Sequence, residues 1–343
     1  MKLMDYKFKP VELGGDEWNA LASTCPDFNL LQSWEYGQSK SETGPWQVVR
    51  GIISTGNLDV GLAQVMVRRG PLGLGGLAWL NRGPLSFPCS GNPPVEFTGL
   101  LESVRNYFVT KKGFYLRVAP PKYTEESSQV SSGELQMAIT NVAGWASGRV
   151  DLTKPNDELR RQMHGKWRNA LSRAERENIQ IKAGINADLF QEFLEGHREH
   201  LSRLGPDGGL PITFLQNFED NLTGDDKLDI AVAYIKGRPA GGIAIAKYGK
   251  SAEYLSGYNS EPGRIHNVGQ LLLWQMMVSL KERGYTSFDL GGMDPNLTPE
   301  GIFRFKKRIN SVPYRLANEM ESEAPGIINK LIRWRTMRAR QAG

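Results

Sequence analysis

Apolar and polar positions alternate along this chain in an order of elements that occurs twice. In each half the periodicity predicts a helix, three strands, a second helix and a fourth strand. The second helix and fourth strand fall at Glu96–Gly113 and Phe114–Pro120 in the first half, and at Asn267–Gly284 and Thr286–Gly292 in the second. The two copies are separated by about half of the chain. This pattern predicts a duplicated α+β domain.

Two segments fall outside the repeated order. Residues Lys122–Arg149 are rich in Ser, Gly, Glu and Gln, which predicts a loop with a short strand. The periodicity of residues Asn156–Asn178 predicts one basic helix, and we expect this helix to belong to neither repeat core. We therefore expect domains at 1–150 and 151–343, the second with this basic entry helix and a basic C-terminal helix.

Composition narrows the class of protein. The chain has 343 residues, is 40% apolar and carries a net charge of +5, which excludes disordered and collagen-like proteins. Cys25 and Cys89 form no CxxC pair, so neither a disulfide scaffold nor a zinc module is indicated. No apolar run has the length of a signal peptide core or of a spanning helix. We expect a cytoplasmic protein.

The positive charge is concentrated in two clusters. Such clusters favour RNA, pyrophosphates or an anionic bilayer surface, and the alternative is a solvated helix face. The first cluster contains Arg160, Arg161, Lys166, Arg168, Arg173 and Arg176, and the second contains Lys330, Arg333, Arg335, Arg338 and Arg340.

The turn before the second-half helix also suits an anion. Asn267 can cap this helix while Gln270 reaches back, which is the reciprocal capping arrangement. A strand, a glycine-bearing turn and a helix N-terminus leave backbone N–H groups for a phosphate or carboxylate. An ordinary strand-to-helix turn remains the alternative.

Four segments in this order resemble the FemABX family of aminoacyl-tRNA-dependent peptidyltransferases: LLQSWEYGQSK, RGP, NVGQLLLWQMMVSLKERGYTSFDLGG and GIFRFKKRI. The resemblance runs from about Leu31 to Tyr314. It implies two GNAT-like (acetyltransferase-type) domains in tandem, with mixed sheets flanked by helices and a substrate cleft at or near their junction. It also implies transfer of an amino acid from aminoacyl-tRNA to an amine of a peptidoglycan precursor or another peptide.

Such a transfer places few demands on cofactors. The aminoacyl ester is already activated, so the reaction needs no ATP and no metal, and we expect no cofactor. His197 and His200 share a helix face but lack a carboxylate at metal spacing. We predict Lys306 as the catalytic residue, because an ordinary lysine is charged at pH 7 and can stabilise the oxyanion of the tetrahedral intermediate.

Further roles are predicted with the resemblance as a guide. Lys40 matches a lysine that contacts the phosphate part of the acceptor, and Arg203 stands where the family has an acceptor-binding arginine. The predicted substrate-binding residues are Lys40, Trp34, Tyr36, Arg203, Tyr254, Tyr258, Asn267 and Gly269. The predicted tRNA-binding residues are Lys307, Arg308, Lys166, Arg168, Arg333 and Arg335.

Two rival functions stay open at this point. A GNAT-type acyltransferase using acyl-CoA would hold the pyrophosphate on a turn with two small residues, whereas IHNVGQL offers only Gly269. A non-catalytic binder of RNA or of a membrane surface would explain the basic tail, but it would not explain the FRFKK segment. The acceptor could be a cell-wall precursor or a peptide natural product.

Overall fold

A computed structural model describes residues 5–70, 73, 75–88, 95–124, 136–204 and 209–341 of the chain. These residues belong to two compact units. The first unit is Met1–Trp145 together with Arg315–Gly343, and the second is Ala146–Tyr314. Cys89 lies outside the described residues.

The first unit is built on a mixed sheet. Strand β3 is buried over most of its length, as expected for a central strand covered on both faces. The strand order is β1-β2-β3-β4-β6-β15-β7, with β5 paired to β3, and only β4 and β6 run parallel. The strands are β1 (Tyr6–Pro10), β2 (Gln47–Thr55), β3 (Leu58–Arg69), β4 (Gly76–Asn81), β5 (Leu85–Ser86), β6 (Tyr115–Ala119), β7 (Ala138–Ile139) and β15 (Met320–Glu323).

The helices of the first unit pack their apolar residues onto this sheet. Leu100, Leu101 and Val104 are fully buried and join the core formed by Ile53 and Val65. The helices are α1 (Gly15–Ala22), α2 (Trp34–Thr43), α3 (Phe97–Arg105, continued by a π-helical segment Asn106–Lys111) and α11 (Ile327–Gln341).

The second unit repeats the pattern with a second mixed sheet. Its order is β14-β8-β13-β12-β11-β10-β9, and β12 and β13 pair in parallel. The strands are β8 (Ala146–Asp151), β9 (Gln180–Gly184), β10 (Asp229–Ile235), β11 (Arg238–Tyr248), β12 (Ser251–Asn259), β13 (Ser287–Asp289) and β14 (Val312–Arg315). The helices are α4 (Asn156–Gln162), α5 (Gly165–Arg176), α6 (Ala187–Leu204), α7 (Ile212–Asn221), α8 (Glu261–Ile265), α9 (Val268–Glu282) and α10 (Glu300–Lys307).

The predicted domain boundaries need one correction. The C-terminal segment belongs to the first unit and not to the second, because β15 pairs antiparallel with both β6 and β7. Strand pairing over some 200 positions is a long-range interaction that local periodicity does not report. The first boundary lies at residues 145 and 146, a few positions before the predicted one.

The predicted basic helix also differs from the structure. It is two helices, α4 and α5, separated by an extended backbone at Met163 and His164. The His164 side chain accepts a hydrogen bond from the Lys166 amide and so caps α5. Trp167 and Leu171 of α5 are buried in the core of the second unit, so the expectation that this segment lies outside both cores is wrong.

A buried ion pair joins two neighbouring strands of the second unit. Lys247 Nζ on β11 lies 3.1 Å from Asp229 Oδ1 on β10, and Arg283 also pairs with Asp229. The side chains of Lys247 and Asp229 are 1% and 4% exposed. Removing one partner of such a pair leaves the other charge buried and uncompensated.

We predict that Asp229→Asn lowers the free energy of unfolding of the second unit by about 3–5 kcal/mol, because Lys247 loses its counter-charge. Denaturant unfolding followed by circular dichroism measures this loss. The control is Glu300→Gln, which breaks an exposed pair with Arg304 and should cost less than about 1 kcal/mol. Equal effects of the two substitutions would contradict the prediction.

Candidate active site

The parallel ladder of the second unit ends at a point where a buried lysine is held. Strands β12 and β13 pair only from Ser251↔Ser287 to Glu253↔Asp289. Just beyond this end, Lys306 Nζ donates a hydrogen bond to the Gly292 carbonyl at 3.1 Å. The same ammonium lies over the Tyr254 ring, 5.0 Å from its centroid. Strand β12, the segment that follows β13 and helix α10 thus fix a single charged atom.

Gly291 allows this arrangement. Its backbone has a φ of +69°, which L side chains rarely adopt. A Cβ added here would lie 2.7 Å from the Tyr254 carbonyl oxygen and 3.5 Å from Lys306 Nζ. Glycine is therefore required at this position by the close approach of the Tyr254 backbone and the Lys306 ammonium.

Burial changes the electrostatics of Lys306. The residue is 7% exposed, and this burial lowers the pKa of its ammonium from 10.5 to about 8. The carboxylates of Asp289 and Glu253 act in the opposite direction and raise that pKa. Lys306 is therefore still mostly protonated at pH 7, as the sequence predicts for an ordinary lysine, but it loses its proton near pH 8.

Asp289 anchors the strand end on which Lys306 rests. Its Oδ1 accepts hydrogen bonds from the Ser147 hydroxyl at 2.5 Å and from the Gly291 amide at 2.9 Å. Its Oδ2 accepts a hydrogen bond from the Tyr314 hydroxyl at 2.5 Å. Sequence reasoning missed Asp289, although an acidic residue at the end of a buried strand before Gly-Gly could have indicated it.

A basic cleft of about 510 Å³ lies on the other side of α10. One face of this helix, with Gly301, Arg304, Phe305 and Arg308 at helical spacing, lines the cleft. Among the described residues that line it, none is acidic. The remaining lining residues are Lys166, Trp167, Asn169, Ala170, Arg173, Asn267 and Gln270.

Four cations give this cleft its chemistry. Lys166 and Arg173 come from α5, and Arg304 and Arg308 come from α10 and its C-terminal cap. The rings of Trp167 and Phe305 lie 6.0 Å apart between these charges. Trp167 is 2% exposed and Phe305 is half-buried, so the cations dominate the surface of the cleft and suit a ligand with several phosphates.

The start of α9 forms another wall of the cleft. Asn267 has a left-handed backbone with φ of 57°, and its side chain makes no capping hydrogen bond. The predicted reciprocal cap with Gln270 is therefore wrong, because an N-cap side chain normally requires an extended backbone. A Cβ added at Gly269 would lie 2.8 Å from Asn259 Nδ2, so this glycine allows α9 to pack closely against the end of β12.

The other predicted substrate residues of the second unit have separate surroundings. Tyr254 supports the ammonium, and burial raises the pKa of its phenol to about 12. Tyr258 is buried beside Phe193, with ring centroids 5.8 Å apart, and burial also raises its phenol pKa. Arg203 is exposed near the end of α6 and pairs with Glu199 at 3.5 Å.

Lys40, Trp34 and Tyr36 all lie on α2 of the first unit and are half-buried. Lys40 Nζ lies 5.6 Å from the Tyr36 ring centroid, and burial lowers the pKa of this ammonium. The Arg50 guanidinium lies 4.9 Å from the Trp34 ring centroid. The structure therefore brings the three predicted residues of the first unit onto one helix.

The predicted tRNA-binding residues are divided by the fold. Lys166 and Arg308 line the basic cleft, whereas Arg168 donates to the carbonyls of Arg161 and Met163. Lys307 is exposed beside Phe303. Arg333 and Arg335 belong to α11 in the first unit, where Arg333 pairs with Glu321 and Arg335 is exposed.

Two other sequence features have a structural explanation. His197 is buried, with Nε2 3.0 Å from the Leu210 carbonyl oxygen and its ring stacked on Phe193. The described residues contain no group of His, Cys, Asp and Glu side chains that could hold a metal ion. Cys25 packs in the core of the first unit, and burial raises its thiol pKa to about 12.

The depressed pKa of Lys306 predicts an effect on stability. The pKa of the Lys306 ammonium is lower in the folded state than in the unfolded state. Below about pH 8 the folded protein therefore contains a buried ammonium, which lowers the free energy of unfolding. We expect Lys306→Met to raise the free energy of unfolding by about 2–3 kcal/mol at pH 7. This gain should shrink between about pH 8 and 10.5, as measured by denaturant titrations across that range. A less stable variant at pH 7 would show that the contacts to Gly292 and Tyr254 outweigh the burial cost.

Comparison with known proteins places this geometry in a fold family. Residues 158–307 match the family model described as acetyltransferase (GNAT) domain. No curated protein sequence matches the chain. Among solved structures, FemX has a TM-score of 0.78 at 16% sequence identity, and the match covers 95% of this chain and 99% of that chain.

Two further structures are similar over nearly the whole chain. The C-terminal domain of a putative lysylphosphatidylglycerol synthetase from Agrobacterium fabrum has a TM-score of 0.53 at 12% identity, covering 94% of this chain and 94% of that one. A tandem GNAT protein from the clavulanic acid biosynthesis pathway has a TM-score of 0.55 at 12% identity, covering 95% and 99%. These matches confirm the expected α+β architecture of tandem GNAT-like units with mixed sheets. They also confirm the FemABX resemblance at the level of the fold. The chain has the fold of FemX and carries an acetyltransferase (GNAT) domain.

Proposed function

We propose that this chain is an aminoacyltransferase that moves an amino acid from aminoacyl-tRNA to an amine of a peptide acceptor and forms an amide bond. The observation that carries the proposal is the buried Lys306 ammonium on one side of α10, with the basic cleft on the other. The ammonium proposed to stabilise the oxyanion and residues of the cleft proposed for the polyanionic substrate thus lie on one short helix.

The chemistry assigned to Lys306 is electrostatic. The acceptor amine attacks the ester carbonyl carbon, a C–N bond forms and the carbonyl oxygen becomes negative. The Lys306 ammonium, held in place by Gly292 and Tyr254, donates a hydrogen bond to this oxyanion. When the C–O bond breaks, the amine has lost a proton and the released tRNA hydroxyl has gained one. The step needs no ATP and no metal.

The basic cleft supports tRNA as the donor. Four cations line this cleft and none of its described lining residues is acidic, which suits consecutive phosphates. The half-buried Phe305 ring offers an aromatic face for a base. The similar structure of a putative lysylphosphatidylglycerol synthetase belongs to a protein whose name denotes a lysyl group, which is an aminoacyl group. Its similarity in fold agrees with an aminoacyl donor here.

A GNAT-type N-acyltransferase that uses acyl-CoA is the second candidate. It is favoured by the tandem GNAT relative, whose structure is described with reference to AcCoA. The cleft next to the α9 N-terminus would also accept a pyrophosphate. Against this candidate, the turn offers a single glycine, Gly269, and that glycine is already in close contact with Asn259.

For the acceptor, we keep Lys40, Trp34 and Tyr36 as the proposed binding residues of the first unit. A half-buried ammonium beside an aromatic ring suits a phosphate on the acceptor, because burial strengthens a charge-assisted hydrogen bond. A cell-wall precursor and a peptide natural product both carry the required amine. The deciding assay incubates the purified protein with charged tRNA or acetyl-CoA and a panel of peptide and muropeptide acceptors, and reads the products by mass.

We expect Lys306→Ala to slow transfer by about 100- to 1000-fold, since a preorganised donor to the oxyanion is lost. Single-turnover rates with charged tRNA measure the effect. The matched control is Lys250→Ala, because this lysine of the second unit is exposed, has no predicted role in the site and should leave the rate near wild type. The wild-type rate should also fall as the pH rises through about 8, where Lys306 loses its proton. A rate that depends equally on the two lysines would contradict the assignment.

The basic cleft gives a test of the donor. Lys166→Gln with Arg173→Gln should weaken tRNA binding and make the log–log salt dependence shallower by about 0.7–0.9 per lost phosphate contact. Arg176→Gln on the same helix is the control, because Arg176 does not line the cleft. Acetyl-CoA should leave the melting temperature unchanged. A clear melting shift with acetyl-CoA that disappears in the cleft variants would favour the acyl-CoA candidate instead.

A further inference from the structure

Helix α11 of the first unit is fixed to its sheet by one polar face. Asn329 is buried, and its amide donates hydrogen bonds to the carbonyls of Gly113 at 2.9 Å and Ala324 at 3.2 Å. One turn further, Arg333 pairs with the buried carboxylate of Glu321. These contacts decide which side of α11 faces the sheet and which side faces outward.

The outward side of α11 is a continuous apolar stripe. Its members are Ile327, Leu331, Trp334 and Met337, which follow one another at helical spacing and are 86%, 46%, 49% and 37% exposed. Isolated exposed apolar residues are common on protein surfaces, but a large aromatic and three aliphatic side chains in one row are typical of an interaction site.

Positive charges border this stripe. Lys330, Arg335 and Arg338 are exposed, and the Arg338 guanidinium lies 4.3 Å from the Trp334 ring centroid. Helix α11 contains no acidic residue in its sequence IINKLIRWRTMRARQ. The apolar row and the bordering cations therefore form one surface of uniform character.

We propose that α11 lies in the surface of an anionic lipid bilayer, with Leu331 and Trp334 inserted among the headgroups and acyl chains and the basic side chains on anionic headgroups. An apolar stripe bordered by Lys and Arg is the pattern of interfacial helices, and tryptophan favours the boundary between water and lipid. RNA would use the cations but gains nothing from exposed Ile, Leu and Met. Among the described helices, none has the length and apolar character needed to cross a bilayer.

This inference does not rest on the aminoacyl donor. It would hold equally if the enzyme used acyl-CoA, because the surface belongs to α11 and not to the basic cleft. It does reassign Arg335, predicted from the sequence as a tRNA contact, to a lipid surface, and it gives Arg333 the role of holding the helix on the sheet.

The test is flotation of the full-length protein with vesicles of phosphatidylcholine and phosphatidylglycerol, compared with vesicles of phosphatidylcholine alone. We expect binding to the anionic vesicles, reduced about 10- to 100-fold by Trp334→Glu or Leu331→Glu. Lys330→Glu with Arg335→Glu should reduce binding to anionic vesicles and weaken its dependence on their charge. Leu297→Glu is the matched control, since Leu297 is 81% exposed and belongs to the second unit, whereas α11 belongs to the first.

Circular dichroism and melting curves establish that each variant keeps its fold, because the substituted side chains point away from the core. Absence of wild-type flotation with anionic vesicles would overturn the proposal, as would equal losses in Trp334→Glu and Leu297→Glu. A dimer in light scattering that Trp334→Glu dissolves would assign the stripe to a second copy of the chain. Binding of tRNA that is lost in the α11 variants, without vesicle binding, would assign it to RNA.

Discussion

The candidate site depends on how one buried ammonium is held. Lys306 has lost almost all contact with water, and its nearby carboxylates only partly offset that loss, so its pKa lies near 8. An ammonium in this state has few competing hydrogen bonds and a fixed position. Both properties favour strong interaction with a negative charge that develops during a reaction. The Asp289 carboxylate accepts hydrogen bonds from Ser147, Gly291 and Tyr314. These hydrogen bonds chiefly fix the strand end beside Lys306.

The second unit contains a contrasting buried lysine. Lys247 forms a short ion pair with Asp229, which is itself also paired with Arg283. There the opposite charges satisfy each other, and the pair contributes to the packing of two strands. Lys306 instead rests on a carbonyl and an aromatic ring, which leaves part of its charge available to a ligand. Lys247 and Lys306 are therefore alike in depth of burial and differ in their partners, and the proposed role of Lys306 in the reaction rests on that difference.

Much of this fold could be predicted from the sequence, because the repeated order of elements is a local pattern. The central strands, the helix α9 and the identity of Lys306 as a residue of interest all follow from periodicity and motif. Pairing of β15 with β6 could not be predicted in this way, since the partners are about 200 positions apart. The cap at Asn267 was predicted wrongly because the backbone there is left-handed, and residue type alone does not fix that backbone.

Charge clusters were the least informative feature of the sequence, and the structure explains why. Arg168 donates hydrogen bonds to backbone carbonyls, and Arg333 forms an ion pair with Glu321. Lys166, Arg173 and Arg308 instead line one cleft. A count of basic residues treats all of these alike. The two basic helices differ in where their apolar residues lie. Helix α5 buries Trp167 and Leu171, so its cations Lys166 and Arg173 face the cleft. Helix α11 buries Asn329 and leaves its apolar row exposed. A basic helix with its apolar face buried presents charge alone and suits a polyanion in water. A basic helix with its apolar face exposed suits a surface that offers both anions and hydrocarbon.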